Sequence, residues 1–87
     1  MDSNAFLNKA KNLVVDHFNQ NQKINTIIDM DDVYVVWFCK TLQNWKALVS
    51  TTVPDGKYYE VTYNGDKKEA YLDVYVKQDN VCIPDTL

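Results

Sequence analysis

At 87 residues the chain has room for one domain, large enough to fold alone but too small to enclose an elaborate active site. Hydrophobic residues make up 46% of it, which excludes a disordered composition. The net charge of −3 and pI near 4.8 argue against a direct grip on nucleic-acid phosphates, which needs a basic surface.

Phe6, Leu7, Ala10, Leu13, Val14, His17 and Phe18 recur at the three-and-four spacing of an amphipathic helix, predicted over residues 4–20. Ser3, Asn4 or Asp2 can cap its first turn. The polar run NQNQK dissolves the pattern, and INTII, residues 24–28, reads as a short edge strand or a buried connection. Asp29, Asp31 and Asp32 follow closely. They lack the ligand ladder, central glycine and terminal glutamate of a calcium loop, so they read as a solvated turn.

Four strands complete the chain, over about 33–41, 45–53, 57–63 and 66–76. Leu42, Gln43 and Asn44 suit a three-residue loop with Asn44 in the left-handed region, which pairs Thr41 with Trp45. Pro54, Asp55 and Gly56 suit another, pairing Val53 with Lys57 and Val49 with Val61. Asn64 and Gly65 form the favoured pair of a type I′ hairpin, which makes Tyr63 face Asp66 and Tyr58 face Tyr71. In these registers Trp45, Ala47, Val49, Thr51 and Val53 share a side with Tyr59, Val61, Tyr63, Ala70, Leu72 and Val74. Val33, Val35, Trp37 and Cys39 join them. A two-residue first loop would instead bury Tyr34, Val36 and Phe38. The helix has an apolar face to bury and the sheet is its only large partner, so the expected fold is α+β: an N-terminal helix packed on one face of a four-stranded antiparallel β-meander.

Val74 and Val76 then overhang the third strand. The tail QDNVCIPDTL has enough apolar character in Val81, Cys82 and Ile83 to dock back, until Pro84 ends pairing. On the side of the sheet away from the helix the same registers gather Tyr34, Phe38, Leu48, Tyr58, Tyr71 and Tyr75. An antiparallel sheet facing water should be mostly polar there, and aromatics of this kind are enriched at protein interfaces, so these six form the candidate interaction face.

Signals for chemistry are sparse. Cys39 and Cys82 have neither CxxC spacing nor a local histidine and read as buried or partly buried free thiols. His17 reads as a packed structural histidine. Glu60 and Glu69 approach one another through the hairpin register, with no cleft around them. Both glycines, Gly56 and Gly65, are consumed by turns, leaving none for a phosphate-cradling loop. No cofactor or metal is expected. No apolar run is long enough to span a bilayer, and the N-terminal MDSNAFLNKAK lacks the order of a signal peptide, so no membrane partner and a cytoplasmic location are expected.

VVWFCKTLQNWKALVSTTVPDG and YEVTYNGDKKEAY, with the helical KAKNLVVDHFNQ and the tail's NVCIPD, resemble a family of small uncharacterised proteins, a domain of unknown function from bacteriophages and prophages of Gram-positive bacteria. The resemblance covers most of the chain and implies expression in bacterial cytoplasm. It supplies no catalytic residue. The leading expectation is a non-enzymatic accessory protein that binds a protein, either a second copy, as a homodimer, or a host target. The alternatives are an acidic decoy for a nucleic-acid-binding host protein, with Asp29, Asp31, Asp32, Glu60, Glu69 and Asp73 supplying charge, and a minimal hydrolase using His17 or Cys39.

Overall fold

The computed structural model describes residues 1–21 and 26–85. It contains one helix, α1 (Ser3–Asn21), a short 3-10 helix (Met30–Asp32) and four strands, β1 (Val33–Thr41), β2 (Asn44–Thr51), β3 (Lys57–Asn64) and β4 (Glu69–Val76). The strands form one antiparallel sheet in chain order, the expected α+β meander with the helix on one side.

Helix α1 forms because its apolar residues fall in a single stripe. Phe6, Ala10, Val14 and Phe18, four apart, are the buried ones. Asp2 is the cap: its carboxylate accepts from the Ala5 amide at 2.8 Å and its carbonyl from Phe6 at 3.0 Å. At the other end the Asn21 side chain donates to the His17 carbonyl at 2.9 Å, satisfying an acceptor that the helix leaves open. Helical structure therefore runs into the polar run, whose residues 22–23 lie outside the described part, as do residues 24–25 of INTII. Residues 26–28 form no strand. Asn19 holds this connection by a reciprocal pair of 2.9 Å bonds with the Ile28 amide and carbonyl, and Ile28 is buried.

The core lies between α1 and the sheet. Trp45, Ala47, Val49 and Thr51 alternate inward along β2 and meet Tyr59 and Val61 from β3, with Phe6 stacked on Trp45 at 5.2 Å between ring centroids. Three predicted registers differ from the structure, in instructive ways. β2 and β3 pair Val49 with Tyr59 and Ala47 with Val61, two residues from expectation, because the loop takes in residues 52–56. β3 and β4 pair Val61 with Leu72 and Tyr58 with Tyr75, four residues from expectation, because residues 65–68 form the loop and β4 begins at Glu69 rather than Asp66. Both shifts are even, so every side chain keeps its face. Lys57 now faces Val76, and β4 does not overhang.

The β1–β2 register differs by an odd number. Thr41 pairs with Asn44 across a two-residue loop, and Leu42, not Asn44, takes the left-handed conformation at φ 56°. Phe38 and Lys40 therefore lie on the helix side, opposite Ala47 and Trp45, and Trp37 and Cys39 on the other. A bulge at Val36 then restores the phase, so Val33 and Val35 face inward as expected, opposite Thr51 and Val49.

Gly65 is not in a type I′ turn, since only Gly56 among the glycines has a positive φ, at 71°. Gly65 packs against the neighbouring hairpin instead. Its amide donates to the Gln43 carbonyl at 3.0 Å, and a Cβ added to it would lie 2.8 Å from the Gln43 Cβ and closer still to the carbonyl oxygen. The loop's turn is made by the Asn64 side chain, which accepts from the amides of Asp66 and Lys67 at 3.1 and 3.2 Å.

Three outcomes follow for stability measured by denaturant unfolding. Gly65→Ala should cost about 1–3 kcal/mol through overpacking, whereas Gly56→Asn should cost less than about 1 kcal/mol, because Asn accepts the left-handed region. Val61→Ala, at 1% exposure, should cost about 1–3 kcal/mol. A Gly65→Ala variant as stable as the wild type would remove the close approach to Gln43.

Candidate interaction face

The side of the sheet away from α1 is built in cross-strand rows. One row runs Tyr34, Ser50, Tyr58, Tyr75; the next Trp37, Leu48, Glu60, Asp73; the third Cys39, Lys46, Thr62, Tyr71. Five of the six expected residues, Tyr34, Leu48, Tyr58, Tyr71 and Tyr75, share this face. Phe38 does not, for the bulge at Val36 and the short loop exchange it with Trp37. Trp37 is the residue that sequence reasoning placed under the helix. β1 is apolar at every position from Val33 to Cys39, so alternation there carries no phase, and the loop length together with the bulge decides it.

No element covers this face among the described residues. Tyr34, Trp37, Tyr71 and Tyr75 are all exposed, and Leu48 and Tyr58 are half-buried. Ser50 sits low between Tyr34 and Tyr58 and donates to the Lys57 carbonyl at 2.9 Å, which satisfies its hydroxyl and leaves the aromatics above it. Polar groups are engaged with one another. Lys46 and Glu60 form a 3.3 Å ion pair in the middle of the face, Lys77 lies 6.0 Å above the Tyr58 ring, and Tyr71 donates to the Glu69 carboxylate at 2.6 Å. That bond favours the neutral phenol, and the adjacent carboxylate charge opposes the phenolate, so both push the Tyr71 pKa above the ordinary tyrosine value. Burial, followed by the charge of Asp55, does the same to Tyr59 on the helix side.

The other candidates for chemistry are dispersed. His17 is on the helix side, edge-on to Tyr59 at 6.3 Å, and Cys39 is on the opposite side of the sheet, so the two do not meet. Both cysteines are exposed rather than buried, Cys39 because of the register and Cys82 in a stretch, residues 77–85, that is exposed throughout. Glu60 faces Asp73 and Glu69 faces Asn64, so the expected approach of Glu60 to Glu69 does not occur. Asp29 and Asp32 cap the 3-10 helix reciprocally: Asp29 accepts from the Asp31 amide at 2.9 Å, and Asp32 from the Asp29 amide at 3.0 Å. Among the described residues no cluster of three or more His, Cys, Asp or Glu side chains could hold a metal ion, and no helix is long and apolar enough to cross a membrane.

One helix laid on one side of an open four-stranded meander, with aromatic side chains bare on the other, defines a small α+β domain whose distinguishing surface is its sheet. The chain belongs to a family described as a family of unknown function (DUF6275), whose model matches residues 7–85. No curated protein and no solved structure matches it.

The Tyr71 to Glu69 bond can be read in solution. In a spectrophotometric alkaline titration Glu69→Gln should lower the pKa of Tyr71 toward the ordinary tyrosine value, because both the anionic acceptor and its charge are removed. An unchanged titration would show that the pair does not form.

Proposed function

We propose that this domain is a non-enzymatic accessory protein of phage or prophage origin that acts in bacterial cytoplasm by binding another protein through the open side of its sheet. One observation carries the reading: Tyr34, Trp37, Leu48, Tyr58, Tyr71 and Tyr75 share the side of the sheet that α1 does not reach, interleaved there with Lys46, Ser50, Glu60, Thr62 and Asp73. A patch of that makeup exceeds the scattered apolar exposure of ordinary surfaces, and such patches mark contacts. The fixed aromatic rings supply contact area at low entropic cost, with the Lys46 to Glu60 pair as a polar element of register. The resemblance to phage-encoded proteins supports the biological setting.

The geometry favours this reading over the two alternatives. A hydrolase pairing Cys39 with His17 would need them on one side of the sheet. An acidic decoy would need its carboxylates concentrated, yet Glu60 is paired with Lys46, Glu69 with Tyr71, and Asp29 and Asp32 with backbone at the far end of the chain's first strand.

The test is comparative capture from host lysate with wild type and with a Trp37→Lys, Tyr75→Lys double variant, both positions being exposed enough to leave the fold intact by circular dichroism. Proteins retained by the wild type, lost by the variant and insensitive to added salt are the expected outcome. An identical set with both baits would overturn the role of this face, and binding that collapses with salt would favour the decoy.

A further inference from the structure

Beyond Val76 the chain continues as KQDNVCIPD. The Lys77 amide donates to the Gly56 carbonyl at 2.7 Å, which holds the start of this segment against the β2–β3 loop. Residues 78–84 then run without turn, bend or strand bridge and are exposed throughout, with Val81 64% and Ile83 83% exposed. The tail expected to dock back is thus an arm. The radius of gyration is 14.7 Å, against about 12 Å for a compact domain of this length. To cover its own sheet edge the arm would have to reverse within residues 77–80, and there is no turn there.

The edge it leaves has an unmet demand of its own. β4 is the last strand, and its outer backbone groups have no neighbouring strand. β1, the opposite edge, is broken by the bulge at Val36, a device that discourages pairing. β4 lacks a bulge, a proline and a lysine, and its only charged side chains are Glu69 at its start and Asp73 at its middle. Its register to β3 is continuous from Val76 opposite Lys57 to Glu69 opposite Asn64. Tyr71, Val74, Tyr75 and Val76 are all exposed along it.

We infer that the chain forms a two-fold symmetric dimer in which residues 81–83 of each copy add as a strand to the β4 edge of the other. Residues 78–84 in extended conformation reach about 23 Å, enough to carry residues 81–83 clear of their own sheet and alongside the edge of a second copy. Pro84 ends the added strand. Each copy supplies one arm and one edge, so the contact is self-complementary and closes after two subunits. Antiparallel addition of identical edges requires a two-fold axis normal to the sheet, which sets both helices on one side and both aromatic faces side by side on the other. Tyr71 and Tyr75 stand on β4 and belong to the aromatic face as well, but the added strand bonds to the backbone of β4 and not to those rings, so the dimer stands even if that face binds nothing.

The experiment is analytical ultracentrifugation of the full chain over a concentration series, with hydrogen exchange on the same samples. The expected result is a concentration-dependent dimer whose β4 amides gain protection as it forms. Val81→Asp with Ile83→Asp should abolish both the dimer and that protection, with circular dichroism unchanged because the arm makes no core contact; Cys82→Pro should weaken both by removing a backbone donor. Trp37→Lys should leave the dimer intact, which separates the arm from the face. A wild type monomeric at the highest soluble concentration, a dimer that survives the arm substitutions, or β4 amides that exchange equally in monomer and dimer would each overturn the proposal.

Discussion

The constraint on which this structure depends is that, among the described residues, a single α-helix must serve a four-stranded sheet. A helix with its side chains is about 10 Å across, while four strands at about 4.8 Å spacing present a wider surface. Helix α1 lies over β1 and β2, and its stripe of Phe6, Ala10, Val14 and Phe18 reaches side chains of β3. β4 is left with Leu72 half-buried and Val74 42% exposed. Every distinctive surface of the domain follows from this shortage. Among the described residues the inner face is fully buried only in its middle, no element lies over the outer face, and Leu72 is the one side chain of the last strand that packs against the core.

Much of the fold was legible because errors in pairing were even. The alternation along β2 and β3 is strict, so any loop assignment that changes the register by two or four residues leaves Trp45, Ala47, Val49, Tyr59 and Val61 facing the helix. Hydrophobic burial enforces the face, and the face tolerates several registers. Turn chemistry, which was expected to fix the register, misled at Asn64 and Gly65. Glycine is needed there for close approach to the Gln43 carbonyl rather than for a positive φ, and the asparagine organises the loop through its side chain. A glycine in a sequence announces that a Cβ is not tolerated without saying whether conformation or a neighbour forbids it.

β1 shows where alternation stops informing. Its run of apolar residues fits either face, and a two-residue loop with Leu42 in the left-handed region has no signature in residue type, since leucine is an uncommon occupant of it. The bulge at Val36 reconciles the loop with the core: without it, the same loop would turn Val33 and Val35 outward and place Tyr34 under the helix. One inserted residue keeps the valines beneath α1 and sets Trp37 among the tyrosines. Five of the six residues expected on the outer face were placed by even shifts, and the sixth was displaced by this one odd step.

The outer face and the β4 edge are therefore two consequences of one deficit, yet their chemistry differs. The face is built from tyrosines and a tryptophan whose polar tips can reach water, with the Lys46 to Glu60 pair at its centre, so it tolerates exposure while remaining a good contact. The edge has no such compromise. Its valines and its unpaired backbone gain only from another strand, and an exposed segment without a strand partner, residues 78–84, begins where that edge ends. A segment that cannot turn back on its own sheet and an edge that cannot protect itself are complementary only across a symmetry axis. In the proposed dimer the edge is blunted against indiscriminate pairing by the arm of a second copy.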